Sequence, residues 1–236
     1  FAPDRVVLLP LYPQFSTSTT QSSINDWRRA AKASGLGAEE RTICCYATDP
    51  GFVTAQVELI APLLQAAQDK GPTRLLLSAH GLPKKIIDRG DPYQRHVEQT
   101  CDAIVAGLAM KGFTELDWQV CYQSRVGPLE WIGPATEDEI NRAAQDGVGV
   151  VVVPVAFVSE HSETLVELDI DYRELATKVG IDHYARVPTV GTNGIFISGL
   201  ADLTRTALAW PDSAARSNNG GRCCAGDFTV CGCEAG

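Results

Sequence analysis

The sequence predicts an α/β protein, with Rossmann-like parallel sheets flanked by helices and a C-terminal cysteine tail. Three observations carry that prediction. Apolar runs alternate with helical patterns through most of the chain. Several of those runs are continuously apolar, as strands covered on both faces are. The regular pattern stops at Asp212, after which Ser217-Asn218-Asn219-Gly220-Gly221 leads into four cysteines.

Taken in order, residues 6–12 read as a first strand (Val6-Val7-Leu8-Leu9) and 23–33 as a helix. A second strand is expected over 42–47, then a helix over 53–69 in which Pro62 predicts a kink or a late start. Leu75-Leu76-Leu77 centres a strand at 74–79. Asp91-Pro92 offers an N-cap and a proline at the first helical position for a helix over 92–110. A strand at 117–122 precedes a helix at 137–145, which Thr136 and Glu139 would open with a capping box. The valine run at 149–157 is a strand, 160–179 a helix, 183–187 a last strand and 194–209 a last helix. The expected division is a body over 1–211, a linker over 212–222 and a cysteine tail over 223–236.

Composition narrows the function. The 236 residues hold 20 Lys plus Arg against 29 Asp plus Glu, a formal net charge of −9, which argues against a nucleic-acid partner. With 44% hydrophobic and 21% charged residues, the balance is that of a globular protein of one large domain or two small lobes. The longest apolar run, 148–158, is broken by Gly149 and Pro154 and is too short to span a bilayer. Phe1-Ala2-Pro3-Asp4 has neither an initiator Met nor a leader and runs directly into a strand, so the chain is expected to be the later portion of a longer protein. Of eight cysteines, Cys44, Cys45, Cys101 and Cys121 read as small core residues, while Cys223, Cys224, Cys231 and Cys233 sit close together, a pattern suited to metal or iron–sulfur binding.

In parallel sheets, ligands gather beyond the carboxyl ends of the strands. Directly after three of the strands come His80-Gly81-Leu82-Pro83, then Gln123-Ser124-Arg125-Val126-Gly127, then Ser159-Glu160-His161 with Glu163. Two histidines and several acids therefore converge on one rim. No dinucleotide fingerprint, phosphate loop or nucleophile elbow is present: Gly35-Leu36-Gly37 continues into Ala38-Glu39-Glu40. Glu163, Glu167 and Asp171 recur every four residues on one helix face. That row is either a solvated helix start or a proton or cation path. His80 is either a loop-bonded histidine or a proton acceptor. Trp131, between two Gly-Pro pairs, is either a core plug or an aromatic wall, and Arg125 either a surface cation or a carboxylate partner.

Ser78-Ala79-His80-Gly81-Leu82-Pro83, Arg89-Gly90-Asp91-Pro92-Tyr93, Gln123-Ser124-Arg125-Val126-Gly127-Pro128 with Trp131-Ile132-Gly133-Pro134, and His161-Ser162-Glu163-Thr164-Leu165 with Glu167-Leu168-Asp169-Ile170-Asp171-Tyr172 resemble the ferrochelatase family, as does Leu11-Tyr12-Pro13-Gln14-Phe15-Ser16 with Ser18-Thr19-Thr20. The resemblance runs from about Leu8 to Leu208. It implies insertion of ferrous iron into protoporphyrin IX in a cleft between two Rossmann-like lobes. His80 would take protons from the pyrrole nitrogens or ligate the metal, and Glu163 would be its acidic counterpart, with Glu167 and Asp171 continuing along a π-type helix. Tyr12, Ser124, Trp131 and Phe157 would line the porphyrin.

Two departures accompany the resemblance. Much of the first lobe is missing, so the chain alone is expected to be inactive. The position of an upstream cluster ligand of animal members is Thr17 here, which cannot serve. Some family members carry a [2Fe–2S] cluster at this end, and by count Cys223, Cys224, Cys231 and Cys233 would hold it; four-cysteine zinc is the other reading. Insertion of iron into coproporphyrin or of cobalt into a related tetrapyrrole, and a non-catalytic iron- or haem-sensing module, are the competing functions. The implied partners are protoporphyrin IX and ferrous iron in the bacterial cytoplasm; peripheral membrane contact and a homodimer stay open.

Overall fold

In the computed structural model, residues 3–234 are described; Phe1 and Ala2 of the opening and Ala235 and Gly236 of the tail lie outside the described residues. The strands sort into two parallel sheets. The first has the order β1 (Arg5–Leu8), β2 (Glu39–Cys45), β7 (Arg216–Ser217); the second has the order β4 (Asp117–Gln123), β3 (Thr73–His80), β5 (Gly149–Pro154), β6 (Tyr184–Arg186).

Strand β3 is the centre of the second sheet and is buried along its length until His80. Its side chains alternate between two layers, as the period of a strand requires. Leu75 and Leu77 pack with Val151 and Val153 against α2 (Pro50–Gln68) and α4 (Tyr93–Met110). Leu76 packs with Val150 and Val152 against α5 (Thr136–Asp146) and α6 (Tyr172–Lys178). Burial on both faces is why these strands are uniformly apolar. The register sets His80 opposite Gln123 and Ser78 opposite Pro154, so the strands end on a common rim.

The remaining helices are distributed over both sheets. A π-helical turn (Thr17–Gln21) leads into α1 (Ser22–Ala33), and a short α3 (Lys84–Ile87) follows β3. The returning helix α7 (Gly194–Leu208) lies on α2, with Phe52 and Phe196 ring centroids 5.9 Å apart. Their backbones come so close that a Cβ on Gly51 would sit 2.8 Å from Gly199 Cα. Among the described residues, no helix is long and apolar enough to cross a membrane.

Several local expectations are corrected. Strand β1 ends at Leu8 rather than 12, ahead of Pro10 and Pro13, and β5 ends at Pro154 rather than 157. Helix α2 starts early, capped by Asp49, and continues through Pro62; the fully buried Ile60 and Leu64 flank the proline and hold the helix against the core. Thr136 is not a cap. Ala135 is, and the buried Thr136 hydroxyl pairs instead with Ser78 Oγ at 2.9 Å and Cys121 Sγ at 3.3 Å. The helix expected over 160–179 is a π-helix (Glu163–Asp171) followed by α6. The stretch read as linker contains β7, which pairs with β2 and seats the tail beside it.

Helix α4 begins one residue later than expected, and Asp91 explains its placement. The carboxylate is 1% exposed. Oδ1 accepts from Tyr93 N–H at 3.0 Å, while Oδ2 accepts from Ser16 Oγ, Thr17 N–H and Thr17 Oγ1 at 3.1, 2.7 and 2.6 Å. It thus pins the start of α4 to the segment leading into α1. Asp91→Asn keeps the shape but turns an NH2 group toward donors. It is expected to cost about 2–4 kcal/mol in urea unfolding.

Candidate active site and thiol site

The rim of the second sheet opens onto a cleft of about 590 Å³ lined by His80, Ser124, Trp131, Glu163, Glu167 and Asp171, together with Val126, Glu137, Ser162, Val166 and Tyr172. Strand β3 delivers His80 to it, and the Tyr93 hydroxyl donates to the His80 carbonyl at 3.0 Å. His80 Nδ1 lies 2.6 Å from the Gly81 carbonyl oxygen. A carbonyl can only accept, so Nδ1 is the donor, and in the neutral ring the lone pair sits on Nε2. Gly81 is required beside it: a Cβ there would stand 2.9 Å from Gln123 O and 3.3 Å from the Trp131 ring.

The acidic row comes from the π-helix, whose wider turn keeps residues four apart on one face. Glu163 contacts His161 Nδ1 and accepts from Ser162 Oγ at 2.9 Å. Desolvation pushes its carboxyl up, but hydrogen bonds from Ser162, its own N–H and His161 outweigh that and hold it below the usual range. Glu167 accepts from Ser124 N–H at 2.7 Å, Tyr172 OH at 2.9 Å and Gln123 Nε2 at 3.2 Å, as well as from Ser124 Oγ. These bonds hold Ser124 at φ 58°, the left-handed region that few side chains adopt.

Phe157 is 9% exposed and stands behind the cleft between two imidazoles, its centroid 6.4 Å from that of His80 and 4.7 Å from that of His161. Tyr12 is 43% exposed and is not among the lining residues. Glu137 is a lining residue that the sequence did not single out. Desolvation and the nearby Glu167 raise its carboxyl above the usual range. In sequence it is one of three acids, with Asp138 and Glu139, in the first turn of α5, and nothing marks it from the others.

The tail thiols collect against β2. Cys223 Sγ is 3.3 Å from Cys45 Sγ and 4.0 Å from Cys224 Sγ; Cys45 Sγ is 3.5 Å from Cys44 Sγ. Cys224 also bonds Cys231, and Cys44 bonds Cys233. Hydrogen bonds from Cys224 and Cys45 push the Cys223 thiol down, those from Cys233 and Cys45 lower Cys44 to about 5, and that from Cys224 lowers Cys231 to about 7. The same hydrogen bonds push Cys45, Cys224 and Cys233 up, so Cys44, Cys223 and Cys231 are the thiolate-prone members of the group, and thiolates are the metal-binding form. Cys101 and Cys121 are buried core residues as expected, and burial raises Cys121 to about 12. Cys44 and Cys45 are buried too, yet they face the tail, which corrects their reading as core alone. The Cys44-Cys45 pair, echoed by Cys223-Cys224, was the available signal, but β7 had to be known to bring the pairs together.

A sequence model of the ferrochelatase family matches residues 2–208. The chain belongs to the ferrochelatase family. It is 50% identical over all 236 residues to a ferrochelatase of Caulobacter vibrioides (strain NA1000 / CB15N), of which it covers 66%. It is also 48% identical over 203 residues, 86% of the chain, to that of Pelagibacter ubique, of which it covers 57%. The chain thus spans about two thirds of the length of the Caulobacter relative, at 66%. Among solved structures it is similar to SirB from Bacillus subtilis with Fe3+, at a TM-score of 0.56 and 14% identity over 88% of this chain and 73% of that one. It is likewise similar to the sirohydrochlorin chelatase SirB of B. subtilis subspecies spizizenii in complex with cobalt, at a TM-score of 0.58 and 13% identity over 89% and 71%. At such identities these structures establish a chelatase-type fold. Within this ferrochelatase-family cleft, Glu167 organises the wall. Glu167→Ala leaves the Ser124 N–H and hydroxyl and the Tyr172 hydroxyl without their acceptor, while Gln123 Nε2 keeps the Glu163 carbonyl at 2.8 Å, and an expected loss of about 1–3 kcal/mol is measurable by chemical denaturation.

Proposed function

We propose that the full-length protein inserts ferrous iron into protoporphyrin IX, with His80 and Glu163 as the catalytic pair. The observation that carries this reading is the contact of His80 Nδ1 with the Gly81 carbonyl, which in the neutral ring leaves the lone pair on Nε2, at the edge of a cleft lined by three acids of the π-helix. Metallation replaces two pyrrole N–H protons with Fe2+. A neutral imidazole accepts a proton or ligates the entering cation with the same lone pair. Glu163, held charged, is a weak base but a good electrostatic partner for Fe2+ or for a protonated imidazole. Glu167 and Asp171 extend the path by which protons leave or iron enters. Trp131 and Ser124 line the macrocycle; Phe157 backs His80, and Tyr12 meets the porphyrin from outside the cleft. Ring distortion that exposes the nitrogens draws on binding elsewhere on the ligand.

The thiol site fits a [2Fe–2S] cluster, because four thiolates, two per iron, are what such a cluster takes. Cys223, Cys224, Cys231 and Cys233 would hold it. The 3.3 Å separation of Cys45 and Cys223 supports a second set in which Cys45 contributes. A bound cluster supplies one-electron redox chemistry. Cys233→Ser is expected to abolish the visible cluster spectrum, and an unchanged spectrum from Cys233→Ser together with a lost one from Cys45→Ser would establish the second set.

Anaerobic iron insertion by the full-length protein tests the main reading. Loss of a general base predicts that His80→Ala lowers the rate by about 10²–10⁴-fold. Porphyrin binding with no turnover by the wild type would instead establish a sensing module. Parallel assays with coproporphyrin and with cobalt separate the related insertions. The 236 residues alone are expected to be inactive, and the same assay run on them beside the full-length protein checks this. The expected location is the bacterial cytoplasm, with association at a membrane surface as the alternative, and cell fractionation separates the two.

A further inference from the structure

Helix α4 carries a second histidine, His96, that the insertion reaction does not use. It is 1% exposed. Its Nδ1 accepts from the backbone N–H of Phe15 at 3.1 Å. A nitrogen that accepts has no proton, so the neutral ring carries its hydrogen on Nε2. Nε2 faces sulfur, 3.0 Å from Cys224 Sγ and 3.8 Å from Cys223 Sγ. One main-chain contact therefore decides which side of the ring is a donor, and the donor side is the one that meets the thiol site.

Cys45, His96 and Cys223 offer ligand atoms all within 4.8 Å of one another, which on distance alone would make His96 a metal ligand. The tautomer argues otherwise. A metal at Nε2 needs the lone pair there and forces the proton of a neutral ring onto Nδ1, against the Phe15 N–H that already points at it. We propose that His96 is a positioning residue rather than a ligand, a fixed N–H donor to the Cys224 sulfur within the thiol site. This rests on the proposed use of that site for an iron–sulfur cluster. A hydrogen bond to a ligating sulfur stabilises the more negative, reduced state, so His96 raises the reduction potential of the group held there.

The test uses the full-length protein with 15N-labelled histidine, metal-free and cluster-loaded, beside His96→Gln and His96→Leu. Glutamine retains an acceptor for Phe15 and a donor for sulfur; leucine retains neither. In the metal-free wild type, long-range proton–nitrogen NMR is expected to show His96 protonated at Nε2 and bare at Nδ1. An Nδ1–H tautomer overturns the proposal and needs no variant to fold. In the loaded protein, the midpoint potential is expected to fall in His96→Leu and to stay near wild type in His96→Gln. The iron–sulfur Raman bands are expected to shift on deuteration in the wild type but not in His96→Leu. A loaded His96→Leu with an unchanged potential overturns the proposal, as does a cluster lost in both variants, which would make His96 a ligand. If the wild type takes up no cluster, the cluster reading fails separately, and the Nε2–H tautomer of the metal-free protein still decides whether His96 is the donor.

Discussion

A buried carboxylate holds the working parts of this protein in register. Asp91 accepts four hydrogen bonds, from the backbone of Tyr93 and from Ser16 and Thr17, while almost fully removed from water. Such a group is costly to bury and is tolerated only when its acceptor capacity is filled. Filling it fixes the first turn of α4 against the segment that enters α1. Within that turn and the next lie Tyr93, which bonds the His80 carbonyl, and His96, which faces Cys224. The candidate active site and the thiol site are thus attached to the same helix, three residues apart.

The two histidines show how main-chain partners assign chemistry to identical side chains. A carbonyl oxygen at Gly81 places the proton of His80 on Nδ1 and leaves a basic Nε2. A backbone N–H at Phe15 does the opposite to His96 and leaves an N–H donor. Neither assignment needs a charged neighbour. Both depend on where a strand or loop ends, and so on the register of the parallel sheet and on the path of the segment before α1.

The acids are organised by geometry as much as by charge. Three carboxylates spaced every four residues would repel along an ordinary helix. In the π-helix they stay on one face, and Glu167 is absorbed into bonds with Gln123, Ser124 and Tyr172. The strained backbone at Ser124 is sustained by two of those bonds. Glu163 and Asp171 border the cleft on either side of this anchor, so the row is fixed to the sheet at its middle member.

The α/β order, the two-faced burial of the second sheet and the acidic row were legible in the sequence, because each is written in local periodicity: Leu75-Leu76-Leu77, the valine run, and Glu163, Glu167 and Asp171. The motifs around His80, Ser124, Trp131 and Glu163 were equally local and were sufficient to suggest the family. Only the tertiary structure decided whatever depends on partners distant in the chain. Thr136 left its expected cap because its buried hydroxyl found Ser78 and Cys121. Cys44 and Cys45 joined the tail thiols because a two-residue strand, too short to carry a pattern, pairs with β2. Glu137 entered the cleft because α5 packs beside α6, which continues the π-helix, and the tautomers of His80 and His96 come from single backbone contacts. Sequence periodicity records which face of an element is buried, but not which groups from elsewhere it meets there.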